Sequence, residues 1–298
     1  MSRTEEMSFA QMCAQYFNDE HAAVAFMQEK GILHQQRSCV CGKEMVLDQN
    51  RPSARWRCTR KICRKEVPLR AGTWLEGTNL PVRKALLFIR AWSDKLTSCA
   101  FCKDNFGMNG KAAVEWKLTM REAAAEWMFK NRVVVGGPGL TVEVDESLFS
   151  KRKYNRGRVL PQTWVVGGVC RETGECFLAR VADRSAATLI DVIKENVAAG
   201  STVITDEWRG YYRLSSEHYT HLRVNHSINF VDRVSGAHTQ TVESLWSHAK
   251  QGNKIRRGTH RSMLDSYLCE FTWRRRLRPD ERPFPKIIEA VAECYPPA

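Results

Sequence analysis

The chain has 298 residues, with 46 Lys and Arg against 33 Asp and Glu, a formal charge of +13. Its 43% hydrophobic and 27% charged residues are ordinary globular composition, which excludes wholesale disorder and collagen-like repeats. No stretch nears the roughly 18 apolar residues of a membrane span, and the polar, acidic start does not read as a secretory signal, so a soluble intracellular protein is expected.

In a reducing setting the 11 cysteines, an odd number, point to metal binding or buried thiols rather than disulfides. The basic excess points to a polyanionic partner, nucleic acid before membrane, because no basic amphipathic helix carries it.

In chain order, residues 9–33 read as helical, with a break at Asn18-Asp19 and a stop at Gly31. From Arg37 to Arg70 ten basic residues meet three acidic ones, and the same window holds Cys39-Val-Cys41 and, 16 residues on, Cys58-x4-Cys63. Two close thiol pairs around a loop of that length suit a tetrahedral structural Zn²⁺ that replaces a hydrophobic core. The alternative is four buried thiols in a small domain, and His34 is a reserve ligand. Cys99 and Cys102 stand three apart on a predicted helix and are read as small buried hydrophobes rather than a second metal site.

Ala85, Phe88, Ile89, Trp92 and Leu96 make one face of a helix opened by Pro81. A short helix follows, then the turn Gly107-Met108-Asn109-Gly110. A third helix runs from about Lys111 to Lys130 with Ala113, Trp116, Met120, Ala123 and Trp127 on one face. Three helices with a tight glycine turn before the last outline a helix-turn-helix module, although plain helical packing reads the same way. Gly136-Gly137-Pro138-Gly139 breaks the chain.

Beyond it the pattern turns to strands: residues 141–145, 164–169 and 176–181, the last two joined at Thr173-Gly174-Glu175. Ser185 caps a helix with Leu189, Ile190, Ile193 and Val197 on its stripe; residues 202–205 and 221–224 are further strands. This order builds a mixed sheet whose first and fourth strands can lie side by side.

Asp145 ends the first of these strands and Asp206 the fourth, so adjacent strand ends bring two carboxylates to one sheet edge, where they need a cation. A third acid, Glu243, lies on a helix that packs through Val242, Leu245, Trp246 and Ala249 and carries Gln240, Glu243, Ser247 and Lys250 on its flank. Three hard oxygen donors so placed can hold two Mg²⁺ ions about 3.5 to 4 Å apart, the arrangement that drives phosphodiester cleavage. Singly, each acid reads as a turn, cap or surface residue; Glu143, Glu146, Asp183 and Glu207 are competitors, and alternation sends Glu146 to the face opposite Asp145.

The 36 residues between Asp206 and Glu243, the stretch from Val144-Asp145-Glu146 to Arg158, Thr205-Asp206-Glu-Trp208-Arg-Gly-Tyr211 and His238-x-Gln240-x-x-Glu243-x-x-Trp246 resemble the Merlin superfamily of DDE transposases and their bacterial insertion-sequence relatives. Arg256-Arg257-Gly-Thr-His-Arg261 and Tyr267-Leu-x-Glu270-Phe-x-Trp273-Arg274 resemble the end of the same domain.

The resemblance implies an α/β, ribonuclease H-like mixed sheet with flanking helices, preceded by a zinc ribbon and a helix-turn-helix-like region, and cut-and-paste DNA transposition. It matches Asp145, Asp206 and Glu243 to the catalytic, metal-holding triad for two Mg²⁺ or Mn²⁺ ions, and Cys39, Cys41, Cys58 and Cys63 to structural Zn²⁺. The domains expected are a helical lead-in (1–36), the ribbon (37–78), the helix-turn-helix-like region (79–135), the catalytic domain (140–278) and a C-terminal tail (279–298).

Lys151, Arg152, Lys153, Arg156, Arg158, Lys250, Arg256, Arg257 and Arg261 then line the groove for DNA phosphates, with Arg274, Arg275 and Arg276 beyond them; a solvated loop is the bland alternative for the first five. The partners expected are double-stranded DNA, both transposon ends and target, and a second copy in a homodimer, with no membrane. The location expected is the nucleus in a eukaryote, or cytoplasm and nucleoid in a bacterium. The alternatives are a domesticated host protein that binds DNA sequence-specifically without transposing, and a structure-specific nuclease that does not join strands.

Overall fold

The computed structural model describes residues 7–51, 53–149, 162–225, 236–256 and 258–298. The chain divides into two compact units: residues 1–127 with 279–298, and residues 128–278.

In the first unit, α1 (Phe9–Tyr16) opens with a capping box between Ser8 and Gln11, and α2 (Glu20–Glu29) opens on the Asp19 carboxylate, which accepts from the Ala22 N–H at 2.8 Å. An antiparallel sheet of β1 (Met45–Asp48), β2 (Arg55–Cys58) and β3 (Glu66–Pro68) follows, in that order. Its core is small: Cys39, Met45, Trp56 and Cys58.

Next come α3 (Val82–Ser93), α4 (Cys99–Phe106) and α5 (Gly110–Lys130). The Ser98 hydroxyl caps α4 at its start, and Gly107, at φ +68°, closes it in the left-handed conformation glycine adopts freely. Ala85, Phe88, Ile89 and Trp92 are buried on α3, but Leu96 does not continue their face. The helix ends at Ser93, Lys95 takes φ +61°, and Leu96 is exposed.

The second unit is built on β4 (Thr141–Leu148), β5 (Trp164–Cys170), β6 (Cys176–Val181), α6 (Ala186–Asn196), β7 (Thr202–Asp206), β8 (Thr220–Val224), α7 (Gln240–Ile255) and α8 (Arg261–Arg276). The sheet order is β6-β5-β4-β7-β8, antiparallel on the β6 side of β4 and parallel on the β7 side. The first and fourth strands of this unit, β4 and β7, are therefore neighbours. β4 also runs three residues beyond the expected end at Asp145, because its pairing with β5 continues to Leu148 opposite Trp164.

Strand alternation divides the core. On one face Val142, Val144 and Val166 pack with Leu189, Ile190 and Ile193 of α6 and with Tyr211; on the other Val165 and Val169 pack with Val242, Leu245 and Trp246 of α7 and Leu264 and Leu268 of α8. Entry to β4 is fixed by Gly136, where φ is +87° and a Cβ would stand 2.6 Å from Ser201 Oγ and Val142 Cγ2. The Ser201 hydroxyl accepts the Gly137 N–H there and donates to the Ala198 carbonyl. The last helix, α9 (Pro283–Cys294), lies in the stretch read from sequence as a tail; it buries Phe284, Ile287, Ile288 and Val291 and packs on α3 in the first unit.

Candidate active site and metal centre

The parallel register sets Asp145 level with Asp206. Thr141 pairs with Thr202, Val142 with Val203 and Glu143 with Ile204, and two more steps along both strands reach the two aspartates. β7 stops at Asp206, whose Oδ1 accepts the backbone N–H of Trp208 at 3.0 Å. β4 continues past that point, held on its other side by β5, with Asp145 opposite Gly167.

Burial pushes the Asp145 carboxyl up to about 7, and the charges of Glu146 and Asp206 push the same way against hydrogen bonds from the Glu146 N–H and the Trp246 indole. Asp145 thus feels Asp206 as a like charge in a desolvated place.

Trp246 supplies the one side-chain hydrogen bond to Asp145 among the described residues: its Nε1–H donates to Oδ2 at 3.0 Å. The indole reaches so far because it lies over Gly167, where a Cβ would stand 2.7 Å from Trp246 Cη2 and 2.8 Å from Leu178 Cδ2. Phe149 meets the same indole edge-on, with ring centroids 6.0 Å apart.

Glu143, fully buried on the same face of β4, is a clamp. Its Oε2 accepts the backbone N–H groups of Thr241 and Val242 at 2.8 and 3.0 Å; its Oε1 accepts the Thr241 hydroxyl at 2.8 Å and Arg171 Nε at 2.6 Å. Thr239, the residue before α7, makes no side-chain cap. The first turn of α7 is therefore capped by a carboxylate from the central strand, which also suits the positive end of the helix dipole. Arg171 ties the assembly further by donating to the His238 carbonyl at 2.7 Å.

Glu243 stands in that first turn, exposed, one turn before Trp246. Asp145 and Asp206 lie two residues past the last pair of neighbouring strands, and α7, which carries Glu243, packs on the same face of the sheet as Asp145. Among the described residues the three carboxylates do not draw within 4.8 Å of one another.

The competing acids have other partners. Glu146 faces away from Asp145, accepting from Arg184 at 3.1 Å and from the Tyr211 hydroxyl at 2.5 Å. Asp183 precedes the Ser185 cap of α6, accepting from the Ser185 N–H and the Thr188 hydroxyl, and the Ser185 N–H holds its carboxyl below the usual range. Glu207 is exposed.

Of the basic residues expected to meet DNA phosphates, Lys151, Arg152, Lys153, Arg156, Arg158 and Arg257 lie outside the described residues. Lys250 projects from α7 to the Ser147 hydroxyl at 2.5 Å, with its ammonium 5.4 Å from the Phe149 ring centroid. Arg256 stacks over Tyr267 with Cζ 3.6 Å from the ring centroid, and Arg261 begins α8. Further along α8, Arg274 pairs with Glu270 at 2.9 Å and Arg276 donates to the Asn131 carbonyl, so these two serve the fold.

In the first unit Cys39, Cys41, Cys58 and Cys63 bring their four sulfurs within 4.8 Å of one another. Cys39 and Cys63 are 3.6 Å apart, as are Cys41 and Cys58. Sulfurs bound tetrahedrally at about 2.3 Å from one zinc stand about 3.8 Å apart, so the group fits that ion closely. The Lys43 backbone N–H holds the Cys41 thiol down to about 7, while Cys58, helped by the Arg60 N–H, is nonetheless pushed up to about 12 by burial and by the shared protons of the other three. His34 is not in the group; its Nε2 is buried near Gly72, and burial lowers its pKa. Nor are Cys99 and Cys102; Cys102 is buried as expected, but Cys99, in the first turn of α4, is exposed.

Sequence reading missed Glu143 as the cap of α7 and Trp246 as the donor to Asp145. The signals were present: Glu143 shares the Asp145 face by alternation, and a tryptophan one turn after an acid faces a glycine strand.

Residues 136–276 match the family model of the ISXO2-like transposase domain. The chain belongs to this transposase family. It is also 32% identical over 94 residues to an "uncharacterized transposase-like protein" of Haemophilus influenzae, an alignment covering 32% of this chain and 75% of that protein.

Proposed function

We propose that the second unit is a DDE-type transposase domain with a ribonuclease H-like sheet, of the Merlin kind, which cleaves DNA at transposon ends and joins a 3′ hydroxyl to target DNA. The observation that carries this reading is that Asp145 and Asp206 each lie two residues beyond the last β4–β7 pair, Glu143 with Ile204, with the charge of Asp206 raising the cost of ionising Asp145. Such a pair is stabilised by a hard divalent cation, and its oxygens suit Mg²⁺ or Mn²⁺. Glu243 is the third ligand in this reading.

Bound between these acids, two such ions would supply an activated water and neutralise the leaving oxygen. The chain's own residues prepare the place. Trp246 fixes one oxygen of Asp145, leaving the other for an ion. Glu143 and Arg171 hold the first turn of α7 so that Glu243 stays at the sheet. Lys250, Arg256 and Arg261 contribute positive charge toward phosphates, with the segment that follows Asp145. In the first unit, Cys39, Cys41, Cys58 and Cys63 hold structural Zn²⁺, and the ribbon and helices α3–α5 bind the transposon ends. Pairing two ends calls for a homodimer.

The test is nicking of duplex DNA carrying the sequences that flank the gene. Asp145→Ala, Asp206→Ala and Glu243→Ala are each expected to abolish Mg²⁺-dependent nicking and to leave DNA binding in chelator intact. Nicking at the native rate in any of them refutes the assignment, and a strand-joining assay separates transposition from simple hydrolysis.

A further inference from the structure

The turn that follows Asp206 carries aromatic side chains that the carboxylate site does not use. Of the nine tryptophans, Trp208 is the one that is exposed, at 40%, and Tyr212, four residues on, is exposed at 49%. Exposing an indole forfeits burial that the other eight tryptophans obtain in whole or in part, so its orientation needs a cause.

Trp208 is held rigidly from behind. The Arg184 guanidinium lies between two indoles, its Cζ 4.0 Å from the Trp164 ring centroid and 4.6 Å from that of Trp208. The guanidinium is fixed in turn by Glu146, whose side chain is 4% exposed. Trp208 Nε1 donates to the Arg184 carbonyl at 3.4 Å, and the Trp208 backbone N–H is bound to Asp206. Gly210 makes room for the indole, since a Cβ there would stand 2.9 Å from Trp208 Cδ1 and 2.7 Å from Leu189 Cδ1. Tyr211 anchors the turn from within by its hydroxyl on Glu146. Tyr212 repeats the arrangement, with Arg223 Cζ 5.0 Å from its ring centroid, and Arg209 and Arg213, each next in sequence to one of the two aromatic residues, are exposed.

Exposed aromatic faces interleaved with arginines, each ring backed by a cation, are what an unpaired nucleobase and its phosphate recognise: the base stacks and the arginines meet the backbone. We propose that Trp208, assisted by Tyr212, is a stacking platform for unpaired DNA bases beside Asp206. The platform captures a base released from its partner, or one in a single-stranded end, and so places the adjoining phosphate at the carboxylates. The proposal rests on the DNA-cleaving reading above, because Asp206 marks where that phosphate belongs.

The test measures binding by fluorescence anisotropy of the full chain in EDTA, where nothing is cleaved. Three probes are compared: a fully paired duplex, the same duplex with a short single-stranded overhang, and that overhang made of abasic nucleotides. The native protein is expected to prefer the overhang with bases. Trp208→Ala is expected to lose about 5- to 150-fold of that affinity, with Trp208→Phe recovering most of it and the fully paired duplex bound as before. The abasic overhang should reproduce the loss with the unaltered protein, which keeps the test independent of how the variants fold. Equal affinity for abasic and base-bearing overhangs overturns the proposal, as does an equal loss on all probes in Trp208→Ala. Absence of DNA binding by the native chain would refute the function reading as well, whereas binding and nicking with no base preference would refute the platform alone.

Discussion

Replacing Glu143 with glutamine keeps the shape of the side chain but removes its charge and half of its accepting capacity. Four donors converge on the carboxylate: Arg171 Nε, the Thr241 hydroxyl and the backbone N–H groups of Thr241 and Val242. Breaking a buried pair by removing one partner costs about 3 to 5 kcal/mol, because the survivor keeps its desolvation without its counter-charge. Arg171 is 25% exposed and retains the His238 carbonyl, so the lower end applies, about 3 kcal/mol for Glu143→Gln. Glu143→Ala also strips the cap from α7 and leaves a hole, adding about 1 to 2 kcal/mol.

For a unit of this size about 3 kcal/mol lowers the melting temperature by roughly 6 to 12 °C. Thermal unfolding followed by circular dichroism gives the shift, and hydrogen exchange at the Thr241 and Val242 amides locates it. Faster exchange confined to α7 is expected. A shift below about 2 °C, or unchanged exchange at those two amides, refutes the clamp. Because Glu143 supports the site without belonging to the acid trio, Mg²⁺ should still raise the melting temperature of Glu143→Gln.

Two further outcomes follow from the ionisable groups. Asp145 titrates near 7 in the fold against 3.8 for a free carboxyl, so its ionised form opposes folding: the penalty is absent below 3.8, grows as pH rises toward 7 and is full above it. Metal-free Asp145→Asn should therefore be more stable than the native chain at pH 8, by up to about 4 kcal/mol, with the gain vanishing near pH 4; a gain independent of pH in melting experiments would show that burial of charge is not its source. Zinc analysis of the purified protein should find one ion per chain and none in Cys58→Ser. Because thiols lose protons on binding, zinc release should begin as pH falls, and unchanged Trp56 fluorescence after chelation would argue against a metal-held ribbon.

How much of this was legible in the sequence depends on the range of the interaction. Alternation at Val142, Val144 and Asp145, the Ser185 cap and the stripe of Leu189, Ile190 and Ile193 are local, and the elements lie where those patterns put them. The neighbourhood of β4 and β7 followed from the order of strands and helix, since a crossover leaves few places for the fourth strand. What stayed hidden depends on side chains meeting across about a hundred positions. Glu143 caps a helix 98 residues away, and Trp246 reaches Asp145 over 101. Neither partner is implied by its own neighbours in the chain. The end of α3 and the extension of β4 past Asp145 were missed because boundaries are set by competing partners: a left-handed Lys95 in one case and the ladder to Trp164 in the other. The role of α9 was missed because nothing local tells a packed terminal helix from a loose one.

The return of α9 to the first unit gives the molecule a nested architecture, in which the middle of the polypeptide is a complete body and the two flanks make another. During synthesis the strands around Asp145, Asp206 and α8 have all left the ribosome before Phe284, Ile287 and Ile288 can seat against α3. The acid-bearing body can therefore mature while the cysteine-bearing one still awaits α9, and a nascent chain cut short near residue 278 would hold the acid-bearing half intact beside a flank with an open core.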